Sequence, residues 1–289
     1  MSTKLSPPWL RLPGGARHDI TGTCTLGRVP DNPLPIADTE VSRRHAIIQP
    51  QGDLECWLVD LGSANGTFLN GRRISQPMPL HHGDLIRLGT HELAFSPRPP
   101  GTPAPPPASS SASQALPSNL SQCWLMVAEV IGYSQLAQSL PAPELSHQIG
   151  TWLKNSRQII EECGGHTSRY LPEGFFCHWE NSDDSTIQLR QAVSLMYEAQ
   201  RAASPPFRFV LHFGPVEIGT VPLLDEPRLH GAEIDFVLAM SKIAAAQQQS
   251  ILFSEAAVTH LSAASEVRLV CESPVPGFTR PAKFYTPGD

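Results

Sequence analysis

Three short segments in the N-terminal part of the chain carry side chains suited to holding a phosphate group. Gly27-Arg28 ends a predicted strand, Ser42 opens the segment SRRHA, and Asn65-Gly66 lies in a predicted turn. Arginine offers a planar fork of donors, serine a short hydroxyl donor, and glycine lets the backbone approach closely. Each feature also has a plainer interpretation, because Asn-Gly is first of all a turn signal and neighbouring arginines can simply be solvated.

Two acidic residues farther along could bind divalent metal ions. Glu129 ends the apolar segment LMVAEV, and Glu173 lies in the predicted turn LPEGFF. Mg²⁺ is usually bound by one or two carboxylates together with phosphates and water. The same two residues could equally be surface acids, since spacing alone does not separate the two interpretations.

The segment GAEIDFVLAMSKIAAA is predicted to be an amphipathic helix with an unusual second stripe. Apolar residues at helical spacing define its buried face, namely Ile234, Val237, Leu238 and Ala244. Asp235, Ala239 and Lys242 fall on a different stripe, because positions i, i+4 and i+7 lie one above another on a helix. Without further context, a solvated face explains this stripe.

A linker separates the elements that must position these residues. Residues 98–119 are almost entirely Pro, Ala and Ser. Such a segment cannot bury enough apolar surface to offset its ordering entropy, and its prolines favour extended conformations. The sequence therefore predicts one domain at residues 1–97 and a second at residues 120–289.

The two predicted domains differ in class. In the first, Gly, Pro, Asn or Asp recurs about every eight to twelve residues between short apolar strands, which predicts an all-β sandwich or barrel. In the second, strands alternate with longer helical patterns, which predicts an α+β or α/β domain. Within it, the segment FRFVLHFGPVEIGTV is predicted to be a strand, a turn and a second strand.

The phosphate-binding set resembles the functional motif of the forkhead-associated (FHA) domain over roughly residues 9–96. The G-R, S-x-x-H and N-G elements of that family stand here in order, as Gly27-Arg28, Ser42 with His45, and Asn65-Gly66. The resemblance implies an eleven-stranded sandwich that binds phosphothreonine peptides through loops at one end. An FHA fold that binds proteins without phosphate is the alternative.

The resemblance also implies a role for each matched residue. The phosphate would be held by Arg28 and Ser42, with Arg43 as a helper, and Asn65 would hydrogen-bond the peptide backbone. His45 would be a structural residue that braces the loops. The implied phosphopeptide-binding set is Arg28, Ser42, Arg43, Asn65 and Gly66.

The second domain resembles the class III nucleotidyl cyclase catalytic domain over roughly residues 121–286. MVAEVIGYSQL resembles its first strand, GGHTSRYLPEGFFCHW its hairpin, and RFVLHFGPVEIGTV the strands that carry its H-x-G-x-V/A-x-x-G pattern. HGAEIDFVLAMSKIA resembles the helix that carries the family's catalytic Asn and Arg. The resemblance implies an α+β fold with a ferredoxin-like core and a head-to-tail homodimer with shared sites.

Several positions on the hairpin side depart from the cyclase pattern. Glu129 and Glu173 stand where the family has metal-binding Asp residues, and Pro172 replaces a Gly. Arg169 and Arg228 replace the Lys and the Asp or Thr that read adenine. The longer carboxylates weaken or alter Mg²⁺ binding without excluding it.

The helix departs at both of its catalytic positions. Asp235 replaces the ribose-orienting Asn, and Ala239 replaces the Arg that stabilises the transition state. Loss of one such preorganised donor typically slows a reaction about 10²- to 10³-fold. Lys242 is near enough on the helix to be considered as a substitute, but it lacks the guanidinium fork.

These departures together predict an adaptor with an inactive cyclase-like domain that needs no cofactor. That domain would serve for homodimerisation, partner binding or nucleotide binding. The alternative is an active, divergent cyclase that uses Mg or Mn and makes a cyclic nucleotide from ATP or GTP under control of phosphopeptide docking. The expected partner is a phosphothreonine-containing protein, such as a Ser/Thr kinase or its substrate. A third possibility is that the linker, phosphorylated at Thr102 or at Ser109–Ser111, docks into its own or a sister FHA domain, and the threonine preference of such domains favours Thr102.

The composition of the whole chain limits the binding partners and the cellular location that we expect. A net charge of -6 and a pI near 6.0 argue against nucleic acid and anionic membranes as partners. No apolar run approaches the roughly 20 residues needed to span a bilayer, and the N-terminus lacks the apolar core of a signal peptide. We therefore expect a cytoplasmic protein, in which the six scattered cysteines are buried free thiols.

Overall fold

The computed structural model describes residues 7–51, 55–97, 119–182, 184–202, 204–220, 227–261 and 267–288. The chain divides into two compact units, one centred on the strands before the linker and one on the sheet after it. Linker residues 98–118, with Thr102 and Ser109–Ser111, lie outside the described part. The domain boundaries and the linker therefore stay predictions.

The N-terminal unit is an all-β sandwich of two antiparallel-rich sheets. Its strands are β1 (Trp9–Arg11), β2 (Arg17–Asp19), β3 (Cys24–Gly27), β4 (Leu34–Pro35), β5 (Ala46–Pro50), β6 (Cys56–Asp60), β7 (Thr67–Leu69), β8 (Arg72–Arg73), β9 (Met78–Leu80), β10 (Leu85–Leu88) and β11 (His91–Ser96). One sheet has the order β2-β1-β11-β10-β7-β8 and the other β4-β3-β5-β6-β9. The predicted all-β class is confirmed, and the described strands number eleven, as the resemblance implied.

The core of this unit is built by alternate side chains of the two sheets. Leu10 is in register with Phe95, and Ile86 with Leu93, and all four are at most 1% exposed. Ile48 of the other sheet belongs to the same buried cluster. Because inward and outward side chains alternate along each strand, these pairs set the register, and the strand register sets where each loop begins.

The C-terminal unit has the predicted α+β class. The chain there forms β12 (Asn119–Val130), α1 (Tyr133–Ser139), α2 (Ala142–Glu162), β13 (His166–Leu171), β14 (Gly174–Glu180), α3 (Ser185–Ala202), β15 (Phe207–Thr220), β16 (Pro227–His230), α4 (Ala232–Ala246), β17 (Ile251–Ser254), α5 (Glu255–His260), β18 (Val267–Ser273) and β19 (Ala282–Pro287). The sheet order is β13-β14-β12-β15-β17-β19-β18, with β16 paired to β15. The long strand β12 lies between the hairpin and β15.

The predicted turn inside FRFVLHFGPVEIGTV is wrong. Strand β15 is continuous and pairs with β12 from Phe207↔Val130 to Ile218↔Asn119. Pro215 interrupts nothing, because it lies opposite Gln122, whose carbonyl accepts from Asn181 on the other side of β12. The pair is therefore a non-hydrogen-bonded one, and pairing with β12 does not need the missing N–H of proline.

Helix α4 packs the predicted apolar face against the sheet. Ile234, Val237 and Ala244 are buried, as expected, whereas Leu238 is only half-buried. Their cluster includes Leu125 of β12. The helix therefore covers the central strands and leaves part of its apolar surface accessible.

The six cysteines are all free thiols, and five of them are buried, with Cys271 half-buried. Burial raises the pKa of Cys24 and of Cys123 to about 12. The prediction of buried free thiols is thus confirmed for five of the six. Within the described ranges, no helix is long and apolar enough to cross a bilayer.

Candidate functional site

The loops after β3 and β4 are joined at one end of the sandwich. The backbone N–H of Arg28 donates to the carbonyl of Ser42 at 2.9 Å. Gly27 makes this approach possible, since a Cβ on it would lie 2.3 Å from the carbonyl oxygen of Arg43. The predicted Gly-Arg element therefore has a steric cause, and it sets Arg28 beside Ser42.

Arg28 is exposed, and its guanidinium is held on one side only. Its Nε donates to the carbonyl of Val41 at 3.2 Å. No described residue accepts a hydrogen bond from its two terminal nitrogens. An exposed guanidinium that is anchored in this way, with two terminal nitrogens unused, suits a bidentate anion such as phosphate.

Ser42 is half-buried, and its hydroxyl hydrogen is available for donation. Its Oγ accepts from the backbone N–H of Ala64 at 3.2 Å. A hydroxyl that accepts one bond can still donate its own hydrogen. Arg43 next to it is exposed, while its backbone carbonyl accepts from Asn32 at 2.8 Å.

His45 is fully buried and links two loops. Its Nδ1 accepts from the N–H of Ser42 at 3.0 Å, so Nε2 carries the proton and donates to the carbonyl of Gly66 at 3.3 Å. Burial lowers the pKa of the imidazole, which keeps the neutral form that this arrangement requires. The geometry fits the bracing role that the resemblance implied.

Asn65 and Gly66 occupy the facing loop. The Asn65 side-chain amide donates to the carbonyl of Glu40 at 2.8 Å, which leaves its carbonyl oxygen for another partner. Gly66 has φ +85°, a left-handed conformation that favours glycine. The loop that carries both residues thus contacts the segment of Glu40 and Ser42.

Asp60 supports these loops, and the sequence reasoning missed it. It is 4% exposed, and its carboxylate accepts from the N–H groups of Gly62 and Ser63, each at 3.0 Å. The hydroxyls of Ser63 and Thr67 donate to its other oxygen at 2.5 and 2.6 Å. An Asp with Gly two and Ser three residues later is the local signal that could have revealed it.

Asp38 is a second residue that the sequence reasoning missed. Its carboxylate accepts from the N–H of Thr90 at 3.0 Å and from that of Glu40 at 2.8 Å. These backbone donors, that of Thr90 first, hold the pKa of Asp38 well below its usual range. Thr90 is 52 residues away in sequence, so no local pattern indicates that contact.

The two predicted metal ligands of the C-terminal unit do meet at one corner of the sheet. Glu129 lies opposite Gly174 on one side and Arg208 on the other. The N–H of Val130 donates to the carbonyl of Glu173 at 2.8 Å, which holds the adjacent turn beside Glu129. Burial, and then the charge of Glu129, raise the pKa of Glu173, and Arg208 partly opposes this.

The guanidinium of Arg208 lies beside this pair of carboxylates. Arg208 Nε lies 3.0 Å from Glu129 Oε1, and the two side chains are 12% and 23% exposed. The contact is an ion pair without a hydrogen bond, since Nε has no acceptor in hydrogen-bonding geometry. Sequence reasoning missed Arg208, although a lone charged residue in the apolar segment FRFVL was a signal.

The carboxylate corner does not fit a divalent metal ion as it stands. A metal would have to displace Arg208 from Glu129 or share the carboxylate with it, and like charges at such distances repel. No group of three or more potential metal ligands occurs among the described residues. Glu129 is therefore described here as the partner of the Arg208 guanidinium, and metal binding by Glu129 and Glu173 stays a prediction.

The remaining predicted positions do not converge on a described site. On α4, Asp235 and Lys242 are exposed, and Ala239 is half-buried against the core. Arg169 on β13 is exposed, while the side chain of Arg228 lies outside the described part.

His212, a motif position of the predicted cyclase pattern, has a structural setting. It is 5% exposed, and its two ring nitrogens lie 2.7 Å from Glu233 and 2.8 Å from Ser254. Ser254 in turn caps α5 by accepting from the N–H of Ala257. The imidazole therefore ties the start of α4 to the sheet.

Comparison with known proteins identifies the N-terminal unit. Residues 24–89 match the model of the FHA domain, so the chain contains an FHA domain there. The oxoglutarate dehydrogenase inhibitor of Corynebacterium jeikeium (strain K411) is 41% identical over 73 residues, which are 25% of this chain and 49% of that protein. The chain thus spans about half the length of that relative.

Solved structures resemble each unit separately. A structure from a study of phosphothreonine-dependent FHA domain interactions is 36% identical, covers 30% of this chain and 93% of that one, and has a TM-score of 0.29. The adenylyl cyclase CyaB from P. aeruginosa is 16% identical, covers 60% of this chain and 97% of that one, and has a TM-score of 0.47.

The Asp60 carboxylate should be the chief polar support of the FHA loops. We expect Asp60→Ala to lower the free energy of unfolding of the N-terminal unit by about 3 kcal/mol or more, because several buried donors lose their acceptor. Urea unfolding followed by peptide-resolved hydrogen exchange of β6 and β7 measures this. Asp31→Ala, at an exposed residue, is the control and should change stability by less than about 0.5 kcal/mol. Equal behaviour of the two variants would contradict the assignment.

Removal of Arg208 should uncover a cation site. We expect Arg208→Gln to strengthen Mn²⁺ binding about tenfold, because the carboxylates lose a like-charged competitor, with the Coulomb energy discounted for partial exposure. Electron paramagnetic resonance of free Mn²⁺ measures this on the full chain. Arg169→Gln, at an exposed arginine of β13 in the same sheet, should leave Mn²⁺ binding unchanged. Wild-type affinity equal to that of Arg208→Gln would show that the ion pair does not compete with metal.

Proposed function

We propose that this protein is a signalling adaptor that binds phosphothreonine-containing proteins through its FHA domain. The observation that carries the proposal is the state of Arg28. Its Nε is anchored to Val41, while its terminal nitrogens have no acceptor among the described residues. A cation that is oriented and yet unpaired is what an anion-binding site requires, since little reorganisation is then needed on binding.

The neighbouring groups complete a phosphate-sized set of donors. Ser42 supplies a hydroxyl beside Arg28, and Arg43 supplies a second exposed guanidinium. Asn65 keeps its amide carbonyl oxygen for an N–H of an extended peptide. The partner is therefore a protein that carries a phosphothreonine, such as a Ser/Thr kinase or its substrate.

The C-terminal unit has a different part in the proposal, that of a cyclase-like module without catalysis. Its Glu129 is paired with Arg208, and its helix α4 presents Asp235 and Ala239 where a cyclase has Asn and Arg. Partly buried apolar side chains remain around α4, including Leu238 and Ile243. These support a role in homodimerisation or in binding a partner or nucleotide.

One observation favours the alternative of an active, divergent cyclase. Glu129 and Glu173 lie close enough for the charge of one to raise the pKa of the other. In that case Mg or Mn would bind with ATP or GTP, and Arg208 would have to leave Glu129 for the triphosphate. The second candidate is therefore a cyclic-nucleotide-forming enzyme that phosphopeptide docking regulates.

The first test concerns the phosphate. We expect Arg28→Ala to weaken binding of a phosphothreonine peptide by roughly 1.5–3 kcal/mol, which is the range for a charge-assisted hydrogen bond. Fluorescence anisotropy with a phosphothreonine peptide library measures it. Arg44→Ala, at an exposed arginine of the same segment, is the matched control and should retain affinity. Equal affinity of wild type and Arg28→Ala across the library would rule out the phosphate-binding proposal.

The second test concerns catalysis. We expect no cyclic nucleotide from purified full-length protein given ATP or GTP with Mn²⁺, whether or not a phosphopeptide is added, because the groups that orient ribose and stabilise the transition state are replaced. Turnover that disappears in both Glu129→Ala and Glu173→Ala would establish the enzyme instead. Light scattering of the same preparation should give the mass of a dimer.

A further inference from the structure

Arg73 is a cation at the phosphate-binding end that the FHA motif does not include. It belongs to the short strand β8, which returns from β7 through Asn70 and Gly71, both with positive φ. In the β7–β8 pairing Arg73 lies opposite Phe68. Its side chain extends from there over Gly66, the residue that follows Asn65.

The guanidinium of Arg73 lies directly against Gly66. A Cβ at position 66 would lie 2.5 Å from both Cζ and Nε of Arg73 and 3.0 Å from one terminal nitrogen. Gly66 thus serves two purposes, a left-handed turn and a flat surface for the guanidinium. The cation of Arg73 is thereby held beside the loop that carries Asn65.

The guanidinium of Arg73 has no partner within the described part of the chain. Its Nε is buried without an acceptor, and no described carboxylate forms an ion pair with it. Arg17, by contrast, pairs with Asp19 at 2.5 Å on the same sheet. A half-buried guanidinium with unused donors loses hydration without compensation, so an external acceptor would be favourable there.

We propose that Arg73 binds an anionic side chain that flanks the phosphothreonine held by Arg28 and Ser42. This inference rests on the proposed function of the FHA domain and adds a sequence preference to it. The anionic group is a carboxylate or a second phosphate, since both offer the planar or forked acceptors that a guanidinium binds best. Arg73 is therefore a specificity-determining residue, separate from the phosphate-holding pair.

The position of the anion in the peptide follows from the loop that Arg73 covers. Asn65 is the residue expected to contact the peptide backbone, and Arg73 lies over the adjacent Gly66. The anionic side chain should then project from a residue within reach of that backbone contact. Arg72, the preceding residue, is exposed and alternates to the other side of β8.

The test is a scan of anions along a phosphothreonine peptide with neutral flanks. Asp is placed at each flanking position in turn, and affinities for full-length wild type, Arg73→Met and Arg72→Met are measured by fluorescence anisotropy. Arg73→Met keeps an apolar stem over Gly66 and removes the charge. We expect Asp at one or two positions to strengthen wild-type binding about fivefold, a gain that Arg73→Met abolishes and Arg72→Met retains.

A charge reversal makes the result independent of how much variant protein is folded. Within one preparation of Arg73→Glu, the ratio of affinities for the Asp and Lys peptides should invert relative to wild type. A second phosphothreonine at the best position distinguishes the sources, because a gain clearly above that of Asp identifies a doubly phosphorylated partner. A gain equal to that of Asp identifies an acidic sequence.

The failures of the two proposals are distinguishable. If wild type binds the neutral phosphothreonine peptide but no flanking Asp improves it, or the gain survives in Arg73→Met, the role of Arg73 is overturned while the FHA proposal stands. If wild type binds no phosphothreonine peptide at all, both are overturned.

Discussion

The neutral imidazole of His45 connects the two loops on which the phosphate-binding face depends. It accepts from the N–H of Ser42 on one side and donates to the carbonyl of Gly66 on the other. Protonation would turn the acceptor into a donor facing a donor, so burial, which favours the neutral form, is part of the same arrangement. Arg28 is joined to this unit through Ser42, and Arg73 through Gly66. One buried ring therefore determines the spacing of the cations at that end of the sandwich.

The two units differ in whether the charged side chains that we assign to function have partners within the protein. In the FHA unit the acids are used by the scaffold, as Asp60 and Asp38 are, while Arg28 and Arg73 keep donors that no described residue uses. In the C-terminal unit, by contrast, Glu129 is matched by Arg208. Because a paired charge contributes little to recognition until its partner leaves, the first unit is prepared for an anionic ligand and the second is not.

Local sequence was sufficient for most of the fold and for the residues of the FHA motif. Turn residues between short apolar runs located the longer strands, but β4 and β8 have only two residues each and leave no periodic signal. Arg208 was missed because strand register places it opposite Glu129, and Asp38 because the fold brings the distant Thr90 to it. The turn expected in β15 failed for the same reason: Pro215 is acceptable only because Gln122 opposite it bonds elsewhere.

The exposure of three side chains on α4 bears on the proposal that the C-terminal unit has no catalytic activity. Asp235 and Lys242 are exposed, and Ala239 is half-buried. Two of the three positions of this stripe are therefore solvated. Replacing Ala239 by Arg would return a guanidinium to the helix, but it would not release Glu129 from Arg208. It would also leave Asp235, an anion that would repel a triphosphate if the proposed cyclase-like unit bound one there. Because Arg208 and the α4 positions belong to separate elements of the fold, no single substitution would reverse the loss of catalysis that we propose for this unit.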